Sequence, residues 1–125
     1  MPWDDDLRDI PAVYQQAGGA FLVGIVDGRI VAMGAVKRID AARAEIKRMR
    51  VHPEFQRRGF GSAMLNALED EARHLGYHIL QLDTTVLQTA ARALYERHGY
   101  RVIRKGTVAG LDTLWYEKRE EQATD

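Results

Sequence analysis

The sequence predicts a mixed α/β fold, a mostly antiparallel sheet carrying amphipathic helices, and three observations lead there. The apolar run Ala20 to Val26 is followed by Asp27-Gly28 and a second apolar run, the pattern of a two-residue hairpin. Two later segments repeat apolar residues at three- and four-residue steps and stop at a glycine, as amphipathic helices do. The apolar stretches around them are too brief for independent helices and read as strands.

Taken in order, Asp6 to Ala17 places Leu7, Ile10, Val13 and Tyr14 at roughly helical spacing, with Pro11 limiting its regularity and Gly18-Gly19 ending it. The uninterrupted apolar character of Ala20 to Val26 predicts a strand buried on both faces, and Arg29 to Lys37 is its hairpin partner. After a polar turn near Asp40, Arg43 to Val51 forms a third strand that Pro53 terminates. A basic, glycine-bearing loop then opens directly into a helix. On that helix Met64, Leu65, Leu68, Ala72 and Leu75 share one face, Asn66, Glu69, Asp70, Arg73 and His74 take the other, and Gly76 caps the end. His78 to Asp83 is a strand, and Thr89 to Arg97 is a helix whose apolar side is Ala90, Ala91, Leu94 and Tyr95, stopped by Gly99. Tyr100 to Arg104 and Asp112 to Lys118 are two strands joined around Gly106 and Gly110. They are antiparallel because too few residues separate them for a crossover. Arg119 to Asp125 is expected to be a frayed tail.

Composition narrows the function. The 125 residues suffice for one domain, with 46% hydrophobic and 29% charged residues in the range of globular chains. There is no cysteine, which excludes a disulfide framework, a thiolate zinc site and a cysteine nucleophile. Of His52, His74, His78 and His98 only His74 and His78 are four apart, and Gly76 ends the helix between them, so no metal is expected. Lys plus Arg and Asp plus Glu are 18 each, which removes the overall positive field of a nucleic-acid binder. The local basic set Lys47, Arg48, Arg50, Arg57 and Arg58 lacks interleaved aromatics to stack bases. Acidic first residues and the lack of an apolar stretch of about 18 residues point to a cytoplasmic protein with no membrane partner.

The loop carries the chemistry. Gln56-Arg57-Arg58-Gly59-Phe60-Gly61 delivers a strand to a helix N-terminus, where backbone N–H groups without intrahelical partners bind anions. Glycines at 59 and 61 let a phosphate approach the backbone, and the arginines add charge-assisted bonds. An ATP-binding P-loop requires Lys-Ser or Lys-Thr after its last glycine, and the dinucleotide fingerprint requires a third small residue where Met64 stands. Neither pattern fits. What remains is Gln/Arg-x-x-Gly-x-Gly/Ala, and Val51 to Gly61 resembles the acetyl-CoA signature of the GNAT superfamily of N-acetyltransferases.

The stretch Ala91-Arg92-Ala93-Leu94-Tyr95-Glu96-Arg97-His98-Gly99-Tyr100 is similar to a second motif of that family. The resemblance spans roughly Ala20 to Lys118 and implies the GNAT acyltransferase fold, with helices on both faces of the sheet and a splayed strand pair holding the coenzyme. It implies a coenzyme site made of Met49, Arg50, Val51, Gln56, Arg57, Arg58, Gly59, Phe60, Gly61 and Ser62. Gln88, Ala91, Leu94, Tyr95 and Arg97 of the second helix complete it. It further implies an acetyl-CoA-dependent N-acetyltransferase acting by direct attack of a primary amine. Tyr95 would be the acid toward the coenzyme sulfur and Glu45 the base for the amine. The alternative is a non-catalytic acetyl-CoA-binding regulatory module. Family members usually carry a longer region before the first strand. The acceptor side is therefore expected to be open, suited to a larger substrate such as a peptide or protein, or to be completed by a partner subunit in a homodimer, with a small-molecule or peptide amine as the acceptor. Gln88 or Thr89 stands near the place of a family asparagine that bonds the pantetheine arm.

Overall fold

The computed structural model describes residues 18–120, so the expected helix at Asp6 to Ala17 lies outside the described residues, as do 121–125. Strands β1 (Ala20–Val26) and β2 (Arg29–Arg38) form the expected hairpin, followed by β3 (Arg43–Val51) and a single 3-10 turn, Pro53–Phe55. Helix α1 (Phe60–His74), β4 (Ile79–Thr85), helix α2 (Thr89–Arg97), β5 (Arg101–Val108) and β6 (Leu111–Arg119) complete the order. The strands make one sheet in the order β1-β2-β3-β4-β6-β5. Every neighbouring pair is antiparallel except β3 and β4, which run parallel because α1 carries the chain back across the sheet.

The core gathers Val36, Ala44 and Ile46 from the sheet, Met64, Leu65, Leu68 and Ala72 from α1, and Leu80, Leu82, Leu114, Tyr116 and Tyr95 around them. Helix α1 ends as its glycine suggests. Gly76 takes φ of 94°, its N–H bonds the Arg73 carbonyl at 3.0 Å, and Tyr77 N–H bonds Ala72 at 3.0 Å.

Four expectations are corrected. β1, the outermost of the described strands, is not buried on both faces: Val23 and Ile25, which share one face, are 41% and 63% exposed. Leu75, expected on the apolar face of α1, is exposed, whereas Glu69, expected on its polar face, is buried. The Glu69 carboxylate accepts the Tyr100 hydroxyl at 2.8 Å and the Lys118 ammonium at 3.1 Å, which offsets the cost of burying it. The last hairpin is longer than expected and turns at Ala109-Gly110, both with positive φ, rather than at Gly106. Gly106 is a strand residue on which the Trp115 ring packs: an added Cβ would stand 3.1 Å from that ring. β6 itself runs through Arg119, and Glu120 N–H still bonds the His78 carbonyl at 2.7 Å.

Candidate active site

The parallel pair β3–β4 is registered at only three positions, Arg43 with Ile79, Ala44 with Leu80, and Glu45 with Gln81. Beyond Glu45 the strands part, and no later residue of β3 is registered with β4. A strand edge that leaves its neighbour can offer backbone N–H and C=O groups to an extended amide-bearing chain. β3 also bulges there. Lys47 pairs with Ala35 and Arg50 with Met33, so Arg48 and Met49 stand opposite Gly34 alone, and Arg48 takes φ of 54°. A bulge re-aims the backbone beside it, and a left-handed arginine costs on the order of 1 kcal/mol that the surrounding sheet must supply.

The gap between the parted strands is a cavity of about 220 Å³. Its β3 wall is Glu45, Ile46, Lys47, Arg48 and Met49, its β4 wall is Leu82, Asp83 and Thr84, and α2 closes it with Gln88, Ala91 and Tyr95. Five residues singled out from the sequence, Glu45, Met49, Gln88, Ala91 and Tyr95, therefore meet at one place.

Tyr95 is 8% exposed and stacks edgewise on Tyr100 and at a tilt on Tyr116, with ring centroids 6.1 Å away in each case. Its two neighbours spend their hydroxyls on carboxylates, Tyr100 on Glu69 at 2.8 Å and Tyr116 on Glu96 at 2.7 Å. Tyr95 alone of the three lines the cavity. Burial first, and then the Asp83 carboxylate, push its pKa above the ordinary phenol value, so the group keeps its proton across the neutral range.

Glu45 is the last registered residue before the strands part, and Lys47 lies 3.6 Å from its carboxylate. Gln88 caps α2 without bonding the helix. Its side-chain oxygen accepts from the Thr84 hydroxyl and from Thr85 N–H, the latter at 3.3 Å, which leaves the amide NH2 end free to donate. Asp83, Thr84, Lys47 and Arg48 also line the cavity; the sequence marked the last two only as part of a basic set and the first two not at all. For Asp83 a signal existed: Leu80, Leu82 and Thr84 alternate as buried residues along β4, which turns Asp83 the other way.

The remaining candidates form a second locus at the N-terminus of α1. Gly59 is the N-cap with φ of 84°, no side chain caps the helix, and no acid sits in its first turn. The first closing bond is Ala63 N–H to the Gly59 carbonyl at 3.0 Å, so the N–H groups of Phe60, Gly61 and Ser62 open outward at the positive end of the helix dipole. An added Cβ at Gly61 would stand 3.4 Å from Leu94 Cδ2 and 3.8 Å from Val51 Cγ2, so glycine here lets the first turn lie against α2 and β3. Gln56 donates its amide to the Val51 carbonyl at 3.3 Å and closes the loop. Arg57 and Arg58 are exposed, with Arg58 over the Phe55 ring at 5.3 Å. Ser62 Oγ lies 2.8 Å from His98 Nε2. Arg50 and Arg97 are exposed and lie outside the cavity.

Among the described residues, a six-stranded mixed sheet with one parted parallel pair and an uncapped glycine-led helix make the architecture of the GNAT acyltransferase fold. Residues 1–100 match the model of the Acetyltransferase (GNAT) family, and the chain belongs to that family. It is 33% identical over 98 residues to N-acetylaspartate synthetase of Danio rerio; that match covers 77% of this chain and 35% of the relative, so the chain spans about a third of that relative's length. Among solved structures it resembles the putative acyl-CoA N-acyltransferase of Klebsiella pneumoniae, 30% identical with a TM-score of 0.75, over 94% of this chain and 81% of that one. It also resembles yncA, a putative acetyltransferase of Salmonella typhimurium solved with its cofactor acetyl-CoA. There the identity is 22% and the TM-score 0.79, over 91% of this chain and 72% of that one.

Proposed function

We propose that this protein binds acetyl-CoA and transfers the acetyl group to a primary amine. The observation that carries the proposal is the parting of β3 from β4 beyond Glu45 and Gln81, with Tyr95 in the wall of the gap. The residues present fit the coenzyme in two places. The open N–H groups at Phe60, Gly61 and Ser62 suit its diphosphate, and the edge of β3 that has left β4 suits the two amides of its pantetheine arm. The cavity is smaller than pockets that enclose a whole drug-sized ligand, which suits the thioester end alone.

An alkyl ammonium of pKa about 10 is not nucleophilic, and a thiol of pKa about 8.5 leaves better when it receives a proton. Glu45, placed where the strands separate, takes one proton from the ammonium; as the neutral amine attacks, its second proton replaces the one that Tyr95, protonated and desolvated, gives to the departing sulfur. The carbon–nitrogen bond forms as the carbon–sulfur bond breaks. With no cysteine in the chain, no thiol is available to carry the acetyl group between the two. N-acetylaspartate, the product named for the Danio rerio relative, is an acetylated amino-acid amine, which supports an amine acceptor.

The test is coenzyme release from acetyl-CoA in the presence of a panel of amines, small and peptidic, with the acetylated product identified by mass spectrometry. Release that depends on one class of amine is expected. Tight binding of acetyl-CoA with no release from any amine would make the protein a binding module instead.

A further inference from the structure

Resting on the acetyl-CoA reading above, we propose that His98 is a positioning residue: its Nε2–H holds the Ser62 hydroxyl so that the hydroxyl proton is offered to the diphosphate at the first turn of α1. The two side chains are 36 residues apart in sequence and meet at 2.8 Å, partly buried, across the contact of α1 with α2. Next to them Gly61 leaves room for only 3.4 Å to Leu94, so the two helices touch at consecutive positions of α1.

The chemistry of the pair decides which way the bond runs when an anion is present. A serine hydroxyl has one proton, and an imidazole nitrogen either donates or accepts. If Ser62 donated to His98, its oxygen would turn lone pairs toward a phosphate, beside N–H groups that all donate. If Nε2–H donates, Ser62 keeps its proton for a phosphate oxygen and adds a side-chain donor to those N–H groups. An anion at this turn favours the second arrangement, because a phosphate oxygen needs a donor and the Nε2–H tautomer leaves the Ser62 proton to it. His98 ends α2, where its own N–H bonds the carbonyls of Leu94 and Tyr95 at 3.1 Å each, which holds the residue beside Ser62. Because Tyr95 lies three residues earlier on the same helix, the pair also ties the anion-binding turn to the helix that carries the proposed acid.

The experiment measures the Kd for acetyl-CoA by calorimetry, and KM and kcat with an accepted amine, for the parent, Ser62→Ala, His98→Ala, His98→Gln and the Ser62→Ala/His98→Ala double variant. Ser62→Ala and His98→Ala should each weaken binding by about tenfold, the scale of one hydrogen bond to a charged group, and raise KM more than they lower kcat. The double variant should be no worse than Ser62→Ala, since the histidine acts only through the hydroxyl. His98→Gln, which presents an N–H at similar reach, should recover most of the loss. The proposal is overturned if the parent binds acetyl-CoA and His98→Ala binds within twofold of it. It is equally overturned if the two single effects multiply in the double variant, or if His98→Gln is no better than His98→Ala. Should His98→Ala fail to fold by thermal melting, Ser62→Ala and His98→Gln decide. A folded parent that takes up no acetyl-CoA overturns the underlying reading, and the role of His98 with it.

Discussion

Replacing Tyr95 by Phe removes a single oxygen from the wall of the cavity and leaves the ring where it is. The ring contacts with Tyr100 and Tyr116, at 6.1 Å each, do not involve the hydroxyl, and a phenylalanine keeps the buried area of the site. Burial and Asp83 are what hold the Tyr95 proton, with no side-chain hydrogen bond contributing, so the substitution breaks no bond to the fold. Stability should therefore change by less than about 1 kcal/mol. Turnover should fall at least tenfold, toward the roughly hundred- to ten-thousandfold range that positioned proton donors supply, while the Kd for acetyl-CoA stays within about threefold. The assay is release of the coenzyme thiol read with a thiol-reactive dye, which the absence of cysteine in the protein leaves free of background. A variant that folds, binds and turns over at the parental rate would remove Tyr95 from the chemistry and reduce it to a core aromatic.

Glu45→Gln should lower kcat at neutral pH; an unchanged rate would assign the amine's proton to another group, with Asp83 in the same cavity the next to replace. Gly34→Ala should destabilise the fold by about 1–3 kcal/mol, because the new Cβ would stand 2.6 Å from Cδ1 of Leu68, a fully buried side chain with little room to give. Thermal melting several degrees lower is expected, and an unchanged melting temperature would show that α1 can shift without cost. Stability should also fall in alkali. The pKa values of Tyr95, Tyr100 and Tyr116 are all raised, chiefly by burial, with Glu69 adding to Tyr100 and Glu96 to Tyr116. Above about pH 10 the unfolded chain loses phenol protons that the folded chain retains, so the stabilisation is complete below that pH and declines as pH rises beyond it. Denaturant titrations at pH 8 and 11 should show the decline, smaller in Tyr100→Phe than in the parent, whereas equal midpoints at both pH values would contradict it.

Elements whose signals are local were legible in the sequence. Asp27-Gly28 names its own turn, the three- and four-residue steps of Met64, Leu65, Leu68 and Ala72 name the face of α1, and α2 has the bounds that Thr89 and Arg97 suggested. What failed depends on partners far along the chain. The run Ala20 to Val26 is apolar enough for the centre of a sheet, and only the strand order shows that it is an edge. Glu69 looks like a surface residue until Tyr100 and Lys118, distant in sequence, supply its bonds. Gly106 resembles a turn residue, but its lack of a side chain serves the Trp115 ring across the hairpin. The site divides the same way. Motif spacing singled out the residues of the α1 entrance and Tyr95, whereas Lys47, Arg48, Asp83 and Thr84 reach the cavity because β3 bulges opposite Gly34 and then leaves β4. Neither the bulge nor the parting has a local sequence signature.

The most direct measurement is calorimetric titration of acetyl-CoA into the folded protein, beside a Gly61→Glu variant. In that variant a side chain must enter a space already 3.4 Å from Leu94 and brings negative charge to the open N–H groups of α1. Saturable uptake by the parent, and a loss of at least tenfold in the variant, is the expected result. A folded parent that takes up none, or a folded variant that binds as the parent does, would contradict the claim that the mouth of α1 grips the diphosphate.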